Sequence, residues 1–125
     1  MSSLSPTPNR YPYPNEPIWS RSEKAIARRV FDAALRQELQ QVMQKAKQMA
    51  NHIKEPGDMW GLERYLTQHR KDIDRKYDFR LSRLTPILGR LLCEHRITDA
   101  ELRGLGEDKA QAIRSCAKVL SEDAA

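Results

Sequence analysis

The sequence predicts an all-α protein: a long antiparallel helical hairpin serving as a stalk, a small helical head, and two such chains paired into an extended dimer. Two observations carry the helical part. From Ser20 to Lys54 no glycine or proline interrupts a run made mostly of Ala, Arg, Gln, Lys, Leu and Met, all strong helix formers. In the next long segment Leu62, Leu66, Ile73, Tyr77, Leu81 and Leu84 recur three, four or seven apart, the spacing of one helix face rather than of a strand. A third observation, the length of the first helix, carries the dimer.

In chain order, residues 1–19 read as a disordered tail, with five of the seven prolines before position 18 and a Tyr11-Pro12-Tyr13-Pro14 motif. Ser20 followed by Glu23 has capping-box spacing, so the stalk is expected to begin there and to occupy 20–84. Its first helix, to Lys54, holds Leu35, Leu39, Val42, Ala46, Met49 and Ile53 at alternating spacings of four and three, a heptad seam. About 34 residues at 1.5 Å each make a rod of roughly 50 Å, longer than a compact domain of this size is wide. Part of the seam would stay wet in a monomer, which argues for a two-fold pair with Leu35, Leu39, Val42, Ala46 and Met49 at the interface.

Glu55-Pro56-Gly57 stops the rod, and Asp58 is expected to cap the helix that returns along it. Trp60 and Arg70 lie on that helix, ten residues apart and near enough to three turns to face a partner together. Within His69 to Arg80 the i,i+4 neighbours include Arg70 with Asp74, but also Lys71 with Arg75 and Asp74 with Asp78. Such a segment is not tuned for helix stability alone, which leaves room for binding. Thr85-Pro86 reads as N-cap and first helical residue, placing a break at 83–86 and a new helix from Pro86 to Glu94. The head, 85–120, then turns at His95-Arg96, passes a second capping-box pattern at Thr98 and Glu101, and ends in a helix from about Glu107 to Leu120. Leu88, Leu91, Leu92, Ile97, Leu102, Leu105, Ile113, Val119 and Leu120 are its expected core, and 121–125 a disordered C-terminus.

The chain of 125 residues carries 22 basic and 17 acidic side chains, a net charge of +5. The excess sits on the stalk, with eight basic residues against four acidic over 20–55 and seven against five over 56–84. Charge spread over helix surfaces is mostly a solvated face, so a basic helical nucleic-acid binder is the lesser reading and no nucleic-acid partner is expected. No apolar run approaches the roughly 20 residues of a bilayer span, and no signal-peptide core is seen, so a cytoplasmic protein without membrane insertion is expected. Cys93 and Cys116 have no metal-ligand spacing and read as reduced thiols; His52, His69 and His95 are scattered. With no phosphate loop, nucleophile and base, or metal pattern, neither an enzyme nor a cofactor is expected. The residues alone leave a self-associating helical protein with room for a partner-binding role.

Three blocks narrow this. Trp19 to Leu39, Asp58 to Ser82 and Leu91 to Ile113 resemble the fluorescence recovery protein family of cyanobacteria along nearly the whole chain from Trp19. The residues that carry the resemblance are Trp19-Ser20, Gln37-Glu38-Leu39 (Gln for the family's Arg), Asp58/Trp60/Leu62, Arg70 and Ile73-Asp74/Lys76-Tyr77-Asp78. Leu91-Leu92/Glu94, Glu101-Leu102/Leu105 and Asp108-Lys109 complete it. The resemblance implies an all-α homodimer without a cofactor. It implies binding to the photoactivated red orange carotenoid protein through that protein's C-terminal domain, faster return to the orange form, and release from the phycobilisome. It would thus act in non-photochemical quenching, reaching the phycobilisome or thylakoid surface through its partner. By the same resemblance Trp60 and Arg70 match the family's functional aromatic and arginine, and Met43 takes a position on the dimer seam beside the residues named above. Glu63-Arg64 stands where the family has His-Asp, and Pro86 where it has an apolar or aromatic residue, so Trp60, Glu63, Arg64 and Arg70 are the expected partner-binding residues. An adaptor dimer that keeps the scaffold and binds a different protein is the alternative.

Overall fold

The computed structural model describes residues 18–124, and every regular element there is helical. The proline-rich stretch and its YPYP motif lie outside the described residues. Helix α1 spans Arg21–Asn51, α2 Pro56–Lys76, α3 Leu84–Cys93 and α4 Glu107–Ala124, with short 3-10 turns at Leu81–Arg83 and Asp99–Leu102. The all-α hairpin with a helical head is as the sequence predicts.

The capping box at the start of α1 forms as read. Ser20 Oγ accepts from the Glu23 N–H at 3.1 Å, and Glu23 Oε1 accepts from the Ser20 N–H at 2.9 Å. Along α1 the buried residues are Glu23, Ala27, Val30, Phe31, Ala34 and Glu38, a stripe three and four apart that ends at Glu38. Trp19, assigned to the tail in the sequence reading, is 7% exposed and joins this core. Beyond Glu38 no residue of α1 is buried, and the rod ends at Asn51, three residues short of Lys54.

The start of α2 differs from expectation. The helix opens at Pro56 with Glu55 as N-cap; Asp58 is its third residue, and its carboxylate accepts the N–H groups of Lys54 and Glu55 at 2.9 and 3.1 Å. Proline suits the first helical position, since it lacks the N–H that would go unpaired there and its φ is already helical. Those two backbone donors hold the Asp58 carboxyl below its usual range.

The end of α2 also differs, stopping at Lys76 rather than near Leu84, where Tyr77 donates its N–H to Ile73 O at 2.9 Å. The cause is one ring. Phe31 of α1 receives Tyr77 edge-on at 5.3 Å and Phe79 edge-on at 5.0 Å between centroids. Residues two apart on a continuous helix point to opposite sides, so both can reach Phe31 only if the helix unwinds between them. Arg28 covers the Phe79 ring at 4.5 Å. Leu81, placed on the apolar face by periodicity, is 51% exposed once that face is broken.

Helix α3 begins at Leu84, two residues before the expected Pro86, so Thr85 is not the N-cap and the proline occupies the third position of the first turn. It is tolerated there because first-turn N–H groups have no partner within the helix. At the other end His95 takes φ 61°, with the Arg96 N–H on Leu91 O at 2.8 Å and the His95 N–H on Leu92 O at 3.1 Å. These two bonds form a Schellman closure with histidine in the position glycine usually fills. The Thr98–Glu101 box forms, opening a 3-10 turn, and α4 runs to Ala124, past Leu120.

Helices α3 and α4 pack closely because position 89 is glycine: a Cβ there would stand 2.7 Å from both Cβ and Sγ of Cys116. Leu84, Leu88, Leu91 and Ile113 are fully buried around that contact, each contributing roughly 1.5–3 kcal/mol of transfer free energy. The head does not close on itself. Its core continues through Ile97 and Leu102 into Trp19, Ala27, Val30, Phe31 and Ala34, so the first half of α1 is as much head as stalk. Val119, expected in that core, is 55% exposed.

Candidate partner-binding surface

Two buried polar nodes fix the stalk against the head and so set what the stalk displays. In the first, Glu38 of α1 accepts from Lys76 Nζ and from the Tyr77 hydroxyl, at 2.9 and 2.7 Å, and Lys76 Nζ also reaches Glu94 Oε1 at 2.6 Å. Arg96 Nε stands 3.4 Å from Glu38, and its Nη1 donates to Gln41 Oε1. Burial and then the Glu38 hydrogen bond push the Tyr77 hydroxyl pKa up. Burial would raise the Glu94 carboxyl, but the Lys76 and Arg90 contacts outweigh it and the net shift is downward.

In the second node Glu23 Oε2 accepts the Gly106 N–H at 2.7 Å and Glu23 Oε1 lies 3.2 Å from Lys109 Nζ. The Ser20 and Gly106 N–H groups, opposed by burial and aided by Lys109, hold the Glu23 carboxyl at about 2. From sequence Glu23 is a capping residue only, and Glu38 only a part of the block that carries the resemblance. Glu38 was findable, being a carboxylate four residues past Ala34 on an otherwise apolar stripe.

With those nodes closed, the far half of the hairpin is left open. Of the eight large apolar residues that are exposed among the described residues, Leu39, Met43, Met59, Trp60 and Leu66 all lie on it. Trp60 is 56% exposed in the first turns of α2. Glu63, Arg64 and Arg70 are exposed on the same helix, and among the described residues their side chains have no ion pair or hydrogen bond. The Arg64 guanidinium lies back over Gly61, 3.8 Å from where a Cβ would stand. Beside it an open depression of about 630 Å³ is lined by Gly61, Arg64, Tyr65 and Gln68, with the Tyr65 and His69 rings 4.2 Å apart. On the seam Leu39 and Met43 are exposed, while Leu35, Val42, Ala46 and Met49 are half-buried. The structure therefore displays Trp60 and Arg64 four residues apart on α2 and leaves Leu39 and Met43 of the seam uncovered in the single chain.

Comparison with known proteins identifies the scaffold. The profile of the family described as "Photoprotection regulator fluorescence recovery protein" matches residues 19–117. The chain belongs to the fluorescence recovery protein family. The curated fluorescence recovery protein of Synechocystis sp. is 32% identical over 104 residues, covering 83% of this chain and 95% of the relative. The solved fluorescence recovery protein of Fremyella diplosiphon matches with a TM-score of 0.77 at 32% identity, over 81% of this chain and 99% of that one. The solved Synechocystis structure gives the same values. The relatives are named as regulators, and no described helix here is long and apolar enough to cross a membrane.

The residues that carry the resemblance divide by what they contact. Ser20, Glu38, Lys76, Tyr77, Glu94 and Lys109 are the members of the two nodes and hold the fold. Trp60 and Arg70 take part in neither node and stand in solvent.

Proposed function

We propose that this chain binds the photoactivated orange carotenoid protein, through that protein's C-terminal domain, speeds its return to the orange form and promotes its release from the phycobilisome. The observation that carries the reading is Trp60, a large aromatic 56% exposed in a family of photoprotection regulators, on the same helix as Arg64 and Arg70 whose charges are uncommitted. An exposed tryptophan with arginines nearby is the composition of an interface hot spot. In this proposal Trp60, Glu63, Arg64 and Arg70 make the contact.

The acting species is a homodimer joined along Leu35, Leu39, Val42, Met43, Ala46 and Met49. The exposed Leu39 and Met43 support this, because in the single chain they leave an apolar stripe uncovered. No group on this chain supplies covalent chemistry; acceleration comes from holding the transition between the red and orange states more tightly than the red state itself. A surface built on helices loses little ordering entropy on contact, so most of its interaction energy remains for that discrimination. The complex forms in the cytoplasm, at the phycobilisome or thylakoid surface to which the partner brings it.

The second reading keeps the dimer and changes the partner: an adaptor whose target is another protein. Glu63-Arg64 favours it, because a guanidinium at position 64 asks for an acidic counterpart where the family's His-Asp pattern would ask for a basic one. Timing the red-to-orange decay of purified orange carotenoid protein with and without this chain separates the two. Acceleration supports the first reading, and an unchanged decay at excess chain supports the second.

A further inference from the structure

We propose that the cleft between the end of α2 and the α3–α4 pair is a second docking surface, built for an acidic peptide segment of a partner protein that also presents an apolar side chain. The cleft holds about 540 Å³, the scale of a few side chains. Its lining carries five basic residues and one acidic one, Asp78. Arg75, Arg80, Arg83 and Arg90 are the exposed members, whereas Lys76 is committed to the buried node with Glu38 and Glu94. Below them lie the half-buried Pro86, Ile87 and Leu120.

The arginines are oriented in a way that suits carboxylates arriving from outside. Arg80 contacts Asp78 through Nε at 2.8 Å, and Arg90 contacts Glu94 through Nε at 3.0 Å. A guanidinium has five N–H donors in a rigid fork, so a contact through Nε fixes the plane and leaves the terminal amino groups for a second acceptor. The Arg75–Asp72 pair is longer, 3.7 Å, with both side chains well exposed, and exchanging such a pair for a ligand costs little.

The floor decides the class of ligand. A bare phosphate would use the arginines and leave the Pro86, Ile87 and Leu120 surface wet. Single-stranded nucleic acid would call for stacking aromatics, and among the described residues no aromatic lines this cleft. A peptide that alternates carboxylates with leucine-like side chains fills both parts. Trp60 and Arg70 do not line the cleft, so this inference is independent of the function proposed above.

The test is a fluorescence anisotropy titration of the full chain against a labelled amphipathic peptide of glutamate and leucine, run beside its glutamine counterpart. We expect the glutamate peptide to bind and the glutamine peptide to bind at least about tenfold more weakly, with affinity falling as salt is raised. Arg80→Gln with Arg83→Gln should weaken binding by about tenfold, Leu120→Ser should weaken it through the floor, and Trp60→Leu should leave it unchanged. Circular dichroism melting establishes that each variant is folded, and the Leu120→Ser arm stands without the arginine arm. Equal binding of the two peptides, no binding of either, or full binding by both folded variants would overturn the proposal. So would tripolyphosphate or single-stranded RNA binding as tightly as the peptide and insensitively to Leu120→Ser, which would make the cleft a phosphate site. A drop in oligomer size on sizing the arginine double variant would assign the cleft to a second copy of the chain, and also overturn it.

Discussion

Lys76 Nζ lies 2.9 Å from Glu38, across 38 positions of sequence, with the two side chains only 7% and 8% exposed. This contact joins the end of α2 to the middle of α1 at the point where the stalk emerges from the head. A buried pair is weak evidence of net stabilisation against an apolar replacement, but removing one partner strands the other charge. Because Tyr77 and Arg96 still face Glu38, Lys76→Met is expected to destabilise the fold by about 3 kcal/mol, the lower end of the range for a broken buried pair, read from urea unfolding midpoints. Tyr77→Phe, which removes one donor to the same carboxylate, is expected to cost less, about 1.5–3 kcal/mol. A loss below 1 kcal/mol for Lys76→Met, on the order of an exposed pair, would show that the node is hydrated in solution.

The second node gives a pH dependence. The Glu23 carboxyl is depressed from 4.5 to about 2 in the folded chain, so the folded state favours the ionised form more than the unfolded state does. Its contribution is complete above the unfolded value and is lost as pH falls from about 5 toward 2. Glu94, also depressed, acts in the same direction. Thermal midpoints of the parent chain should fall across this window, and Glu23→Gln should flatten the fall while lowering the midpoint at neutral pH. Parallel curves for the two proteins would assign the acid sensitivity to other groups.

Gly89 is a packing requirement. Its α carbon faces Cys116 so closely that an added methyl would sit 2.7 Å from Cβ and Sγ. Gly89→Ala is expected to destabilise by about 1–3 kcal/mol, the range for overpacking a filled core, even though alanine is the better helix former. Cys116→Gly in the same chain should restore part of the loss. A neutral or stabilised Gly89→Ala variant would mean that α3 and α4 separate at little cost.

Met43 is 49% exposed on the seam proposed to join two chains. Met43→Glu would place a charge inside that contact, so sizing chromatography with light scattering should report monomers where the parent gives dimers. An unchanged mass would move the interface elsewhere.

Much of this was legible in the sequence, and most of what was not is set by residues distant along the chain. Both capping boxes, Ser20 with Glu23 and Thr98 with Glu101, depend on residues three apart and formed as read. The end of α2 did not, because periodicity runs on through Tyr77 and Leu81 while the unwinding at Tyr77 is imposed by the Phe31 ring on another helix. Asp58 stands inside its helix rather than at the cap because Pro56, which has no N–H to leave unpaired, fits the first helical position. The Glu23–Gly106 bond spans 83 residues, and no local pattern could show it. In the candidate site, Trp60 and Arg70 were read on α2 before their exposure was known. What the sequence could not show is that Lys76 and Tyr77, in the same distinctive block, face inward to Glu38 and leave the display to Trp60, Arg64 and Arg70.

The central claim is that the exposed face of α2 accelerates the relaxation of a carotenoid-binding partner. It is tested most directly by converting purified orange carotenoid protein to its red form with light and timing the return to orange in darkness, with this chain and with Arg70→Leu. A faster return is expected with the parent chain and an unassisted rate with Arg70→Leu, whose dimer and melting temperature should match the parent's. A decay unchanged by excess parent chain, or accelerated equally by the variant, would contradict it.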